Sequence, residues 1–240
     1  MAPKSIRVCL SPALLPFYPL DDTIAVVIDI FRATSSICYG LANGAKAIIP
    51  VAEVEACLAY RGNGHLLAAE RDGEVVTGFD FGNSPFSYTA DKVGGKTVVL
   101  TTTNGTRAIQ WSAGATAVVA GSFLNISALS RWLQSQNHHV LMVCAGWKNQ
   151  FSLEDTVFAG ALANSLNTGG IELDDAAHAA ESLYLEAKDN LKAYLSKASH
   201  SKRMQRLNID ADISFCLQQD TVSVIPIMNG HELVRLAETT

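Results

Sequence analysis

The sequence predicts an α/β protein: a three-layer α/β/α sandwich around a mostly parallel or mixed sheet, with a helical elaboration toward its C-terminal end. β-Branched apolar runs alternate with helical patterns through the first two-thirds of the chain, the rhythm of strand–helix units. From about residue 172 to 218 the pattern turns wholly helical. Ala176-Ala177, Ala179-Ala180, Leu183-Tyr184, Ala187, Leu191 and Leu195 recur there at helical spacing in charged surroundings. That segment suits the edge of the sheet or a subunit interface, which leaves a homodimer open. No internal repeat, low-complexity tract or long linker appears, so residues 1–240 read as one domain.

In chain order, strands are expected near 6–10, 24–30, 46–51, 65–69, 97–102, 116–120, 139–144 and 221–226. Helices are expected near 34–42, 52–61, 104–113, 123–136 and 152–167. The second strand, Ile24 to Ile30 (IAVVIDI), carries Asp29 near its end and runs straight into Phe31-Arg32-Ala33-Thr34-Ser35-Ser36. Between 65–69 and 97–102 lie Glu70-Arg71-Asp72-Gly73 and Gly78-Phe79-Asp80-Phe81-Gly82-Asn83-Ser84-Pro85, a loop of charges, glycines and a proline. The stretch TVVLTTTNGT, Thr97 to Thr106, is a buried strand that stops in hydroxyls; Asn104-Gly105 reads as its turn, and Thr106-Arg107-Ala108-Ile109 opens a helix. Val140 to Cys144 ends in Ala145-Gly146-Trp147-Lys148, and Ser152-Leu153-Glu154-Asp155 opens a long helical pattern. Ligands of open α/β sheets bind at the carboxyl ends of the strands, so these four segments are expected to converge on one site.

Composition narrows the function. The chain has a net charge of −5 and 48% apolar residues, ample for a sizeable core. With no basic stripe to neutralise phosphates, nucleic acid is not an expected partner. The N-terminal stretch MAPKSIRVCLSPALLPFYPL has only short apolar runs broken by prolines, neither a signal peptide nor a membrane span, so a soluble cytoplasmic protein is expected. Five cysteines without a CxxC pair argue against structural zinc or a disulfide framework and read as small buried hydrophobes.

The junction at Thr103, Asn104, Gly105 and Thr106 has the chemistry of an anion cradle. The first N–H groups of a helix lack partners, the dipole favours negative charge, and threonine hydroxyls can donate beside them. Simple helix capping is the alternative.

Together the segments DIFRATSS, ERDGEVVTGFDFGNSP, TTTNGTRAI and CAGWKNQFSLED resemble the 2-phosphosulfolactate phosphatase family, the ComB-like proteins of coenzyme M biosynthesis. The resemblance continues through Ala198-Ser199-His200, Leu207, Asp212, Cys216, Asp220 and Val224-Ile225-Pro226, so it spans nearly the whole chain. It implies a magnesium-dependent hydrolase that removes phosphate from a small 2-phosphorylated sulfonic acid and leaves sulfolactate. A phosphatase for another small phosphoester, or a non-catalytic protein that binds an anionic metabolite, are the alternatives.

Other phosphatase chemistries are excluded on spacing. Six positions beyond Cys144 stands Gln150 rather than arginine, Asp29 is followed two positions on by Phe31 rather than aspartate, and neither Arg-His-Gly nor a P-loop is present. Metal-assisted hydrolysis remains. Mg2+ takes oxygen ligands, and Asp29, Glu154 and Asp155 are the expected set, although the last two also suit the start of a helix. An acid ending an apolar strand needs a cation, either a metal or Arg32.

A small anionic phosphoester needs several converging donors. Arg32 is expected to stabilise the phosphoryl oxygens, and Glu70 or Asp80 to act as base toward an in-line water. Arg71 and Lys148, with His200 as a further group, would bind the distal anion, and Thr34, Asn83, Ser84, Thr103, Asn104, Gly105 and Thr106 would supply neutral donors or close approach. Arg107, Lys202 and Arg203 are in reserve.

Overall fold

The computed structural model describes residues 2–167, 169–207 and 209–237. Its strands are β1 (Ser5–Cys9), β2 (Thr23–Ile28), β3 (Ala47–Pro50), β4 (Leu66–Arg71), β5 (Glu74–Val75), β6 (Thr97–Thr101), β7 (Ala117–Gly121), β8 (His139–Cys144), β9 (Glu172–Leu173), β10 (Pro226–Asn229) and β11 (Glu232–Arg235). Its helices are α1 (Ala33–Ala42), α2 (Val54–Leu58), α3 (Ala90–Val93), α4 (Gly105–Trp111), α5 (Ile126–Gln134), α6 (Leu153–Leu166), α7 (Asp175–Ala187), α8 (Leu191–Leu195), α9 (Ser199–Arg206) and α10 (Asp210–Cys216).

One sheet runs β5-β4-β6-β3-β11-β10-β7-β2-β8-β1-β9. The inner positions of the central parallel strands, Ile24–Ile28 of β2 and Val140–Cys144 of β8, are apolar because both faces are covered. Side chains alternate across a strand, so Ile24, Val26 and Ile28 of β2 join a core with β8 and α6. Ala25 and Val27 point the other way, into a core shared with α1 and α4. Two apolar cores on opposite faces of one sheet make the three-layer α/β/α sandwich that the sequence predicts.

Two parallel blocks, β4-β6-β3 and β7-β2-β8-β1, are joined by the antiparallel β10-β11 hairpin. Each junction rests on one register pair, Ile227 with Val119 and Leu233 with Ile48. Three antiparallel steps in succession reverse the ladder direction from one block to the other. The carboxyl ends of β6 and β2 still meet, since Gly105, after β6, packs against Asp29, after β2.

Two expectations change. The strand expected at 221–226 is irregular through residue 225, since Val222 N–H donates to Leu124 and the Val224 carbonyl accepts from Asn125 Nδ2. The strand begins at Pro226 and turns back at Gly230, whose φ of 62° suits a tight hairpin. The segment from 172 is not wholly helical either, because β9 pairs with β1 before α7 starts. α7 then packs on α6 at Gly160, where a Cβ would stand 1.9 Å from the Ala180 carbonyl oxygen. From there α9 and α10 cross to the carboxyl ends of the strands and cover the site.

Candidate active site

Asp29, Phe31 and Arg32 after β2, Glu70 and Gly73 at the end of β4, Asn83, Asn104 after β6, and Trp147 after β8 line one cleft. His200 and Met204 of α9 close it. Its free volume is about 20 Å3, room for one water-sized sphere.

Asp29 is buried at the centre of this arrangement. Its main-chain carbonyl accepts the Thr34 N–H at 3.0 Å and the Thr34 hydroxyl at 2.9 Å, which fixes the turn into α1. Among the described residues its carboxylate accepts only the Ala33 N–H, at 3.3 Å. Burial pushes the Asp29 carboxyl up to about 6, His200 and the Ala33 N–H oppose, and the nearby Glu70 and Glu154 charges add to the rise. Gly105 lies against it: a Cβ there would meet Asp29 Oδ2 at 2.6 Å and Ala33 Cβ at 2.7 Å. The glycine is needed for this approach.

Asp155 stands behind Asp29 with both oxygens engaged, Oδ1 by Ile30 N–H at 2.9 Å and Oδ2 by Gly146 N–H at 3.0 Å. It ties the end of β2 to the end of β8. Burial, then the charges of Glu154 and Asp29, hold its carboxyl well above the usual range. Glu154 is buried and accepts from His200 Nδ1 at 2.6 Å. Burial is the largest influence on Glu154 and acts upward; the hydrogen bond and charge of His200 outweigh it and leave the carboxyl below its ordinary value.

The expected anion cradle has a different occupant. The Glu70 carboxylate accepts the N–H groups of Gly73 and Thr103, and the Thr103 hydroxyl donates to it at 3.3 Å. Thr106 bonds inward, its N–H to Thr102 Oγ1 at 3.2 Å and its hydroxyl to the Thr102 carbonyl at 3.3 Å. Asn104 makes no side-chain cap; its Oδ1 accepts from Lys148 N–H at 3.0 Å. Thr102 thus accepts the Thr106 N–H at the helix start, while Thr103 donates to the Glu70 carboxylate.

Arg32 is buried and paired with Asp212 of α10, with Nη2 donating to the Gly73 carbonyl at 2.9 Å. Ser84 supports the same aspartate, donating to Asp212 Oδ1 at 3.1 Å. Asn83 is buried, and its Oδ1 has no partner among the described residues. The guanidinium of Arg203 lies over the Trp147 indole, 4.0 Å from its centroid, with Nη2 buried and unpartnered among the described residues. Burial pulls that guanidinium below its usual value against the opposing charge of Glu154.

Three expected residues fall elsewhere. Asp80 is exposed and accepts the Leu67 N–H at 2.8 Å, at the far end of β4 from Glu70, so it is no base for this cleft. Arg71 points away from Glu70 and donates to three neutral oxygens, the Glu70 and Ala52 carbonyls and Thr101 Oγ1. Lys148 is exposed and pairs with Asp72 at 3.2 Å.

Among the described residues no group of three or more His, Cys, Asp and Glu is arranged to hold a metal ion. Of the expected set, Asp155 holds a backbone N–H on each oxygen and Glu154 is engaged by His200, so Asp29 has the least engaged carboxylate. Asp212 is the residue that site reasoning missed. An acid in the first turn of a helix reads as a dipole partner, and nothing local ties it to an arginine 180 positions away.

The model of the 2-phosphosulpholactate phosphatase family matches residues 9–231. A probable 2-phosphosulfolactate phosphatase of Thermotoga maritima is 42% identical over 219 residues, which cover 90% of this chain and 94% of that protein. The probable 2-phosphosulfolactate phosphatase of Gloeobacter violaceus is 41% identical over 221 residues, 90% of this chain and 92% of the relative. That of Clostridium acetobutylicum is 39% identical over 220 residues, 90% and 93%.

Proposed function

The chain belongs to the 2-phosphosulfolactate phosphatase family, a family of phosphomonoester hydrolases, and from that premise we propose that it hydrolyses 2-phosphosulfolactate to sulfolactate and phosphate. The proposal includes Mg2+ as cofactor and a cytoplasmic role in coenzyme M biosynthesis. Among the described residues no helix is long and apolar enough to cross a membrane.

The observation that carries this reading is the oxygen-rich cleft itself: Asp29 with a lightly bonded buried carboxylate, the Glu70 carboxylate, and Asn83 Oδ1 without a donor. Mg2+ takes oxygen ligands, commonly one or two carboxylates with substrate phosphate and water. Asp29 fits that role, with Asn83 Oδ1 as a second donor. When bound, the ion would offset charge on the phosphoryl oxygens.

The other roles belong to the chain. Glu70, held in place by Gly73 and Thr103, orients the attacking water and takes its proton. Arg32, fixed by Asp212 and Gly73, points its guanidinium at the phosphoryl oxygens. As the P–O ester bond breaks, the alkoxide takes a proton from His200, whose Nδ1 is engaged by Glu154 so that Nε2 is the exchanging nitrogen.

A phosphate-release assay with Mg2+ across 2-phosphosulfolactate, 2-phospholactate, phosphoglycolate and the phosphoglycerates tests the reading. Turnover fastest on the sulfonate ester supports it. A preference for another ester moves the substrate, and saturable binding without release makes the protein a binding protein.

A further inference from the structure

Arg203 has one buried guanidinium nitrogen, Nη2, with no hydrogen-bond partner among the described residues. A desolvated charged donor left unpaired is costly, and its natural complement is an anion. The group is well placed to receive one. Two residues that line the cleft adjoin it: the guanidinium lies over Trp147, 4.0 Å from the ring centroid, and His200 precedes Arg203 by one turn of α9.

The other cations of the loops that follow the strands have partners, and Arg32 has the phosphoryl group as its task. Arg32 is paired with Asp212, Arg71 donates to three neutral oxygens, Arg107 pairs with Glu53 and Lys148 with Asp72. Glu154 and Asp72, the acids whose charges reach Arg203, are engaged by His200 and Lys148 instead. A phosphorylated sulfonic acid brings a second strong anion that Arg32 and a metal at Asp29 leave uncompensated. Two parallel guanidinium N–H groups match two oxygens of a sulfonate, and the indole face holds the fork flat for them.

We propose that Arg203, held by cation–π stacking on Trp147, is the specificity residue that binds the sulfonate of the substrate. This rests on the phosphatase reading above.

The test compares kcat/KM on 2-phosphosulfolactate with that on 2-phospholactate, which keeps the ester and the carboxylate but has hydrogen in place of the sulfonate. Arg203→Gln should lower the first by about 10- to 100-fold, mainly through KM, and the second by less than about threefold. Arg203→Lys should recover part of the loss. Gln205→Ala, exposed on the same helix, should change neither. Equal losses on both esters, or none, overturn the assignment. If the wild-type protein hydrolyses neither ester, the functional reading fails separately, and Arg203 is then judged by titrating sulfolactate and following tryptophan fluorescence. Binding weakened about tenfold or more by Arg203→Gln upholds it; equal binding, or no binding to the wild type, overturns it.

Discussion

Asp29 Oδ2 occupies the space where a side chain at position 105 would begin, 2.6 Å from a Cβ built on Gly105. The junction after β6 and the junction after β2 can close on each other only because one of them lacks a side chain. Gly105→Ala should therefore destabilise the fold by roughly 1–3 kcal/mol through overpacking. The same substitution in an Asp29→Ala background should cost at least ~0.5 kcal/mol less, with the remainder due to Ala33. Urea unfolding of the four proteins measures the coupling, and strict additivity would show that the contact carries no energy.

Asp29 should also set a pH dependence of stability in metal-free protein. Its carboxyl rises from 3.8 to about 6 on folding. Between those values the folded state holds a proton that the unfolded chain has released, so stability falls as pH rises through the window. A shift of that size corresponds to roughly 3 kcal/mol once the group is fully ionised. Asn at position 29 has no charge to bury. Asp29→Asn should therefore gain stability over wild type, and by about 1.5 kcal/mol more at pH 8 than at pH 5. A gain independent of pH would place the penalty elsewhere.

Metal should reverse that penalty. Phosphatase activity should vanish with EDTA and return with Mg2+ or Mn2+, while Asp29→Asn stays inactive at any metal concentration. Independently of activity, saturating Mg2+ should raise the Tm of the wild type, by about 2.7 kcal/mol of stabilisation at a hundredfold excess over Kd. The Tm of Asp29→Asn should stay put. Full activity in chelator, or equal Tm shifts in the two proteins, would remove the metal from Asp29.

The buried Arg32–Asp212 pair joins α10 to the cleft and should behave as a buried ion pair. Asp212→Ala strands a buried guanidinium and should cost about 3–5 kcal/mol. Asp212→Asn should cost less, because an amide oxygen can keep the Ser84 contact. Replacing both residues, Arg32→Met with Asp212→Leu, should recover most of the stability and none of the activity. Recovery of activity in that double variant would remove Arg32 from the chemistry.

Strands β1 to β4 and β6 to β8 were legible in the sequence as short apolar runs that end abruptly in polar residues; β5, β9 and β11, short segments that each begin with glutamate, were not. Residues 221–225 defeat that rule: their composition is that of a strand, but their backbone groups are taken by Leu124 and Asn125. Asn229-Gly230, an ordinary hairpin signal, marks where the hairpin turns. In the cleft, Asp29 was legible because an acid closing an apolar strand demands compensation. Arg71 carried a warning in its position, since neighbours on a strand face opposite sides and Glu70 already faces the cleft. The Arg32–Asp212 pair and the stacking of Arg203 on Trp147 link distant parts of the chain, so only the folded structure brings them together.

That placement of Arg71 makes it a brace rather than a substrate ligand. Its guanidinium donates to the Glu70 carbonyl at 2.7 Å, Thr101 Oγ1 at 2.9 Å and the Ala52 carbonyl at 3.1 Å, which tie β4 to the loop after β3 and the end of β6. Arg71→Ala should lower stability by roughly 1–3 kcal/mol, and any fall in kcat/KM should be equal on 2-phosphosulfolactate and 2-phospholactate, because Glu70 shifts for both. Lys148, exposed and paired with an exposed aspartate, should tolerate alanine with little change in unfolding midpoint or in either rate. A selective loss on the sulfonate ester in Arg71→Ala or Lys148→Ala would instead return the distal anion to these residues and take it from Arg203.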